Sequence, residues 1–421
     1  MTAGGVTVAT MALLVQKFGG TSVATPERMR EIAEQVRFRR LQGDDVVLVV
    51  SAMGSETDEL LRLAAAVADR RPGREMDMLI TAGERKATAL MCMCLADRGV
   101  PAESLTGSQA GFITDTTHQN ARILEIRPDR VRTAIAEGRV PVVAGSQGVS
   151  TNADVTFLGR GGSDTTAVAL AHVLDADACE LYTDVSGVFT ADPRVVPRAR
   201  RIGRLSYDEM LEMTATGCPK PAMRSVEVAR ARRVRLHVRS AFTWEPGTWI
   251  DEEDPEMEQA IVAAVTHDTS EAKITVPAVP DRPGIAGTLF RRLADVDVNV
   301  DMIVQNVSAD GATDISFTVP RGQLEVSRSV AQELADGIGA GAVTCDATIA
   351  RVSLVGAGMK TNPGVAATMF EILGAGGINI EMISTSAIRI SCVVREDDVV
   401  DAVSVLHDAF GLDQPTATVG S

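Results

Sequence analysis

From Met11 to about Ile250, short apolar runs alternate with longer stretches of helical period. Leu13–Val15, Val46–Val50, Val140–Ala144, Ala178–Tyr182 and Arg235–Val238 are the length and composition of buried strands. Pro26–Arg40, Thr57–Arg70, Glu75–Arg98, Asp164–Leu174 and Ser225–Arg232 repeat their apolar positions at helical spacing. Thr25 is placed to cap the first helix, with Pro26 at its first position. Strands alternating with helices predict an α/β domain, a mostly parallel sheet covered by helices on both faces. Sites in such sheets lie at the carboxyl ends of the strands. The acidic, Pro-containing stretch Asp251 to Pro255 closes this domain, expected over residues 1–250 with 1–10 as a mobile extension.

The last third repeats itself. Residues 274–308 and 354–388 match without a gap, each position 80 residues from its counterpart. Pro283–Gly284 recurs as Pro363–Gly364, and Leu293, Asn299 and Met302 recur as Leu373, Asn379 and Met382. Each copy reads as strand, Pro-Gly turn, amphipathic helix, strand. Two small α/β modules are expected, over 271–348 and 349–421, joined to the first domain by 251–270.

Composition narrows the function classes. The formal net charge is −15, which disfavours nucleic acid and anionic membrane as partners. Two arginine clusters run against it, at 198–204 and 230–235, readable as solvated surface or as the border of a phosphate site. The six cysteines follow no metal-ligand spacing, so no metal site is expected from protein side chains alone. The start of the chain lacks the pattern of a secretory signal, and no apolar run is long enough to span a bilayer, so a cytoplasmic protein with reduced thiols is expected.

Three glycine-rich segments carry the candidate chemistry. Lys17-Phe18-Gly19-Gly20-Thr21-Ser22 follows the first strand. Gly159-Arg160-Gly161-Gly162-Ser163-Asp164 opens a helix that either Ser163 or Asp164 can cap. Thr183-Asp184-Val185-Ser186-Gly187-Val188-Phe189-Thr190-Ala191-Asp192-Pro193-Arg194 follows another strand. Glycines let backbone N–H groups approach an anion, and Lys17 and Arg160 add full positive charge.

With Ser51-Ala52-Met53-Gly54 between them, and Gln305-Asn306-Val307-Ser308 and Ser384-Thr385-Ser386 in the repeats, these segments resemble the bacterial aspartokinases. These are amino-acid kinases with two ferredoxin-like ACT modules behind the catalytic domain. The resemblance runs from Met11 to about Gly411. It implies ATP-dependent phosphorylation of aspartate at its side-chain carboxylate, with Mg2+ on the nucleotide phosphates. This is the first step toward lysine, threonine, methionine and diaminopimelate. By resemblance, Lys17 and Asp164 are catalytic. Ser51, Thr57, Glu84, Arg160 and Ser163 hold the amino acid, Glu84 at its ammonium and Arg160 at a carboxylate. Lys17, Gly19, Gly20, Thr183, Asp184, Phe189, Arg194 and Lys220 line ATP. Asp281, Gly284, Ala286, Gln305, Asn379 and Ile380 form an amino-acid effector site. A strand near Ile261–Val265 completes the second ACT module, and chains pair through these modules as homodimers or larger assemblies.

The sequence departs from the family pattern at four places. Pro219 stands where the family carries lysine, with Lys220 one residue later. Ser146 and Phe157 replace the commoner Phe and Thr. Ala387 follows Ser386 where the family commonly has Glu, which favours threonine over lysine as effector. Two other readings compete: a superfamily relative acting on another acid, carbamate or a nucleotide, and a catalytically impaired sensor. The tandem repeat opposes the first, and intact Lys17, Arg160 and Asp164 oppose the second.

Overall fold

The computed structural model describes residues 11–252, 261–306 and 311–414. The expected extension 1–10 and the middle of the 251–270 linker lie outside them. Two compact units emerge. The first comprises the described parts of Met1–Val188, Arg201–Thr214 and Pro219–Glu256. The second comprises Phe189–Arg200, Ala215–Cys218 and the described residues of Met257–Ser421.

The first unit begins β1 (Leu13–Phe18), α1 (Pro26–Leu41), β2 (Asp45–Val50), α2 (Glu56–Val67), α3 (Gly73–Ile80), α4 (Ala82–Ala96) and β3 (Ala102–Leu105). It continues β4 (Phe112–Thr114), β5 (Ile123–Ile126), α5 (Asp129–Ala136), β6 (Val140–Ala144), β7 (Gln147–Ser150), β8 (Val155–Phe157) and α6 (Gly162–Leu174). It ends β9 (Ala178–Thr183), β10 (Arg204–Ser206), α7 (Tyr207–Ala215), α8 (Met223–Arg232), β11 (Leu236–Ser240) and β12 (Thr248–Asp251). An eight-stranded sheet runs β10-β12-β11-β9-β1-β2-β6-β3, with only the β11–β12 pair antiparallel. The central strands β2 and β6 are buried on both faces, which is why they read as nearly continuous apolar runs. Phe18, Ile32, Val36, Leu48, Met91 and Leu95 meet in one core and are fully buried, each contributing about 1.5–3 kcal/mol. A second sheet, β5-β4-β7-β8, belongs to the same unit.

Thr25 Oγ1 accepts from Arg28 N at 3.4 Å and caps α1, with Pro26 in its first turn. The single helix expected over Glu75–Arg98 is instead two. Thr81 interrupts it: its Oγ1 donates to the Asp77 carbonyl at 2.8 Å, and its own carbonyl accepts from Gln147 Nε2 at 3.2 Å. A residue with a hydroxyl that returns to the preceding turn competes with helix continuation.

The second unit holds β13 (Ala264–Asp268), β14 (Glu271–Pro280), α9 (Ile285–Asp295), β15 (Ile303–Gln305), β16 (Ala312–Pro320), α10 (Leu324–Ile338) and β17 (Thr344–Asp346). Its second half holds β18 (Ile349–Val355), α11 (Val365–Ala375), β19 (Met382–Thr385), β20 (Arg389–Arg395) and α12 (Val399–Ala409). The sheets are β15-β16-β14-β17 and β19-β20-β18-β13. The strand preceding the first repeat thus supplies the fourth strand of the second. The sequence repeat is a packing repeat: Leu289 and Met369, Leu293 and Leu373, and Val298 and Ile378 occupy matching core positions. Gly284 and Gly364 precede the two helices at φ of 98° and 102°, a left-handed conformation that favours glycine. Met302 and Met382 pack together with Ile349 and Val393, joining the modules.

Candidate active site

The carboxyl ends of β1, β2, β6, β9 and β11 lie along one edge of the large sheet, because these strands run parallel. The first glycine turn leaves β1 there. Gly19 N donates to Tyr182 O at 3.4 Å, and Gly20 O accepts from Gly54 N at 3.0 Å, tying the turn to the loop after β2. Lys17, one residue before the strand ends, is buried, and its Nζ lies 2.6 Å from Asp164 Oδ1.

Asp164 stands in the first turn of α6. The helix does not start as expected: Gly161, at φ 74°, occupies the cap position and no side chain caps it. A Cβ on Gly161 would fall 2.5 Å from the Ala222 Cβ, so glycine is required twice over. Ser163 and Asp164 are thereby free for the site. Ser163 Oγ lies 3.0 Å from Ser51 Oγ and 2.9 Å from Ser146 Oγ, a row of three hydroxyls linking β2, the turn after β6 and α6. Ser146, a departure from the family pattern, is therefore inside the cluster. Asp164 Oδ2 accepts from Ala222 N at 3.2 Å. Burial alone would raise the Asp164 carboxyl, but the charges of Lys17 and Lys220 and the Ala222 N–H outweigh it. They hold the group below the ordinary carboxylate range.

Glu84 lies in the first turn of α4, buried, and its Oε2 has no hydrogen-bond partner. Desolvation, reinforced by the Glu56 charge, raises its pKa to about 7 despite N–H donors from its own backbone and Ala52. A buried carboxylate with an unused acceptor suits a cation from outside the protein. Thr57 is half-buried in the first turn of α2. Arg160 is exposed on the second glycine turn. Thr183 ends β9, its Oγ1 donating to Asp184 Oδ1 at 2.8 Å, and Asp184 is exposed.

Other expected residues lie on the second unit. Phe189 and Arg194 belong to the second unit. There Ala191 and Val196 enter the core of the second module, Thr190 Oγ1 meets His407 Nε2 at 2.9 Å, and Arg194 forks onto Asp192. Asp281, Gly284, Gln305 and Asn379 are exposed on the two modules, while Ala286 and Ile380 pack against their cores. Arg198, Arg230 and Arg233 pair with the solvent-accessible acids Asp408, Asp208 and Glu252, and Arg204 and Arg235 pair with the buried Asp251, so these members of the arginine clusters serve as ion pairs. Two participants escaped the sequence reading: Ala222, which acts through its backbone, and Glu56, which shares a carboxylate neighbourhood with Glu84.

The chemistry of the cluster is anion handling. One buried cation, a carboxylate that fixes it, three hydroxyls and a helix start face the strand ends. Among the described residues no three His, Cys, Asp or Glu side chains form a metal-binding group, and no helix is long and apolar enough to cross a membrane.

Comparison with known proteins agrees. Residues 12–240 match the amino acid kinase family, and residues 274–336 and 352–410 each match ACT domains. The aspartokinase of Mycolicibacterium smegmatis is 53% identical over 407 residues, covering 96% of this chain and 97% of the relative. The aspartate kinase of Pseudomonas putida is 49% identical over 406 residues, covering 96% and 99%. Among solved structures, aspartate kinase from Synechocystis is 42% identical with a TM-score of 0.54, over 95% of this chain and 70% of that one. E. coli aspartokinase III, in complex with aspartate and ADP, shares the fold at a TM-score of 0.81 and 23% identity, over 94% and 99%. The chain belongs to the aspartokinases, amino acid kinases that carry ACT domains behind the catalytic domain.

Proposed function

We infer that this chain phosphorylates the side-chain carboxylate of L-aspartate, with ATP as donor. The buried Lys17–Asp164 pair at the strand ends carries this reading. A carboxylate nucleophile is ionised at neutral pH and needs no general base. One carboxylate oxygen forms the new bond to the γ-phosphorus, and the bond from that phosphorus to ADP breaks. The obstacle is repulsion between two anions, so catalysis rests on positioning and positive charge. Lys17 supplies the charge, and Asp164 holds its ammonium in place. Gly19 and Gly20 bring backbone beneath the phosphates, with Thr183, Asp184 and Lys220 along the nucleotide. Ser51, Thr57 and Ser163 orient aspartate, Glu84 receives its ammonium and Arg160 its carboxylate. Mg2+ would be held mainly through the nucleotide's phosphates, since among the described residues no three His, Cys, Asp or Glu side chains form a group that could hold it. When bound, the ion neutralises charge on the phosphates.

Incubation with ATP, Mg2+, hydroxylamine and a panel of acidic amino acids tests this. Aspartyl hydroxamate from aspartate alone supports it. Turnover only with another acid would replace it by the relative's activity, and no turnover by the impaired sensor.

The ACT modules sense amino acids through Asp281, Gly284, Ala286, Gln305, Asn379 and Ile380. The edge strands β15 and β19 expose Ile303 and Ile383 at matching positions, surface that a second copy covers in a homodimer. Ala387 leaves no carboxylate for a lysine side chain. Threonine is expected to inhibit at concentrations at least about tenfold below lysine, roughly the 1.4 kcal/mol of one charged contact; dose–response curves with each amino acid measure the ratio.

A further inference from the structure

Asp77, on α3, is completely buried and outside the reacting cluster. Its carboxylate accepts three hydrogen bonds. His118 Nδ1 lies 2.8 Å from Oδ2, Gln119 N 2.9 Å from Oδ1 and Phe157 N 3.1 Å from Oδ2. The two backbone donors come from different segments, the loop after β4 and the end of β8. Those segments also bond directly, Ala121 N to Phe157 O at 2.9 Å. Arg224 finishes the clamp, donating to Leu158 O at 2.7 Å and Ala121 O at 2.9 Å. Arg160 follows two residues after Leu158.

Asp77 faces the other way through its own carbonyl. It accepts from Thr81 N at 3.1 Å and Thr81 Oγ1 at 2.8 Å, and Thr81 forms the corner at which α4 begins. Glu84 stands in the first turn of that helix. One residue therefore grips the base of the turn carrying Arg160 and the corner from which Glu84 projects. We propose that Asp77 is a positioning residue for aspartate, fixing the spacing between the groups that receive its ammonium and its carboxylate. This rests on the assignment of Glu84 and Arg160 to the substrate.

The inference predicts a loss in one kinetic parameter. Asn at position 77 keeps the volume but turns an N–H2 toward N–H donors, so one segment must draw away. Displacing a substrate-holding group by about an ångström costs up to about 10²-fold. Asp77→Asn should raise KM for aspartate about 10–100-fold. KM for ATP should stay within about twofold and kcat within about fivefold, with cooperative unfolding retained. Glu84→Gln and Arg160→Ala, measured alongside, should also raise KM for aspartate. If those two leave it unchanged, the assignment of the pocket fails and the proposal with it. If they raise it while folded Asp77→Asn does not, or if Asp77→Asn raises KM for ATP and aspartate alike, only the positioning role is overturned. Should Asp77→Asn fail to fold, His118→Ala is measured on the same axes. A rise of about 3–10-fold in KM for aspartate alone supports the role, and no rise contradicts it.

Discussion

Lys17→Ala lowers kcat by about a thousand-fold or more, with ATP binding weakened far less. A single preorganised donor at a developing anion contributes about 10²–10³-fold, and a cation directed at a transferring phosphoryl group reaches 10³–10⁵-fold. Lys17 is buried, so its charge acts with little solvent screening. Asp164 holds it at 2.6 Å and has a further tether through Ala222 N. The substitution also leaves Asp164 in a buried position without its main partner, which costs about 3 kcal/mol or more of stability. The kinetic loss must therefore be read on protein shown to be folded. Asp164→Asn separates the effects: it leaves the ammonium present but less well held, and kcat falls about 10–100-fold. Steady-state rates with hydroxylamine trapping, alongside thermal unfolding, measure both.

Aspartate recognition weakens about tenfold between pH 8 and pH 6. Glu84 has a pKa near 7, raised from 4.5 by desolvation and by Glu56. Only its carboxylate form receives an ammonium, so kcat/KM for aspartate falls toward one decade per pH unit below that pKa. The same shift has a stability consequence of definite sign. The folded state binds the proton more tightly than the unfolded chain. Stability is therefore lost as pH rises from about 4.5 to about 7 and stays lost above. Glu84→Gln removes both effects. Its KM for aspartate is high and independent of pH over this range, and the protein is more stable at pH 8 by up to about 3 kcal/mol. A variant that still loses aspartate affinity at pH 6 would move the titration to another group.

Much of this arrangement is written locally in the sequence. Val46–Val50 and Val140–Ala144 are buried on both faces and so advertise themselves as strands. Thr25–Pro26 announces a helix start by its own chemistry. The repeat was legible because matching residues, such as Leu293 and Leu373, fill matching cores. What stayed hidden depends on partners distant in sequence. The cap of α6 reads as Ser163 or Asp164 by local rules, but Lys17 and Ser51, brought in by β1 and β2, claim those side chains and Gly161 begins the helix. Thr81 shows no turn signal; the break it makes is secured by Gln147. The segment with Phe189 and Arg194 carries family-like residues, yet its backbone is built into the second unit through Val196 and Thr190. Asp77 resembles any helical acid until the loop after β4 and the end of β8 close around it.

Phosphoryl transfer to a carboxylate leaves an isotopic record. With both side-chain carboxylate oxygens of aspartate labelled as 18O, the bond to phosphorus is made by a labelled oxygen. Hydroxylamine attack at the acyl carbon then releases phosphate bearing that atom. In a single-turnover reaction with ATP and Mg2+, the account predicts one 18O per phosphate from the unaltered protein and negligible labelled phosphate from Lys17→Ala. Phosphate free of label while ATP is consumed, or labelled phosphate formed by the Lys17→Ala protein as fast as by the unaltered protein, would contradict it.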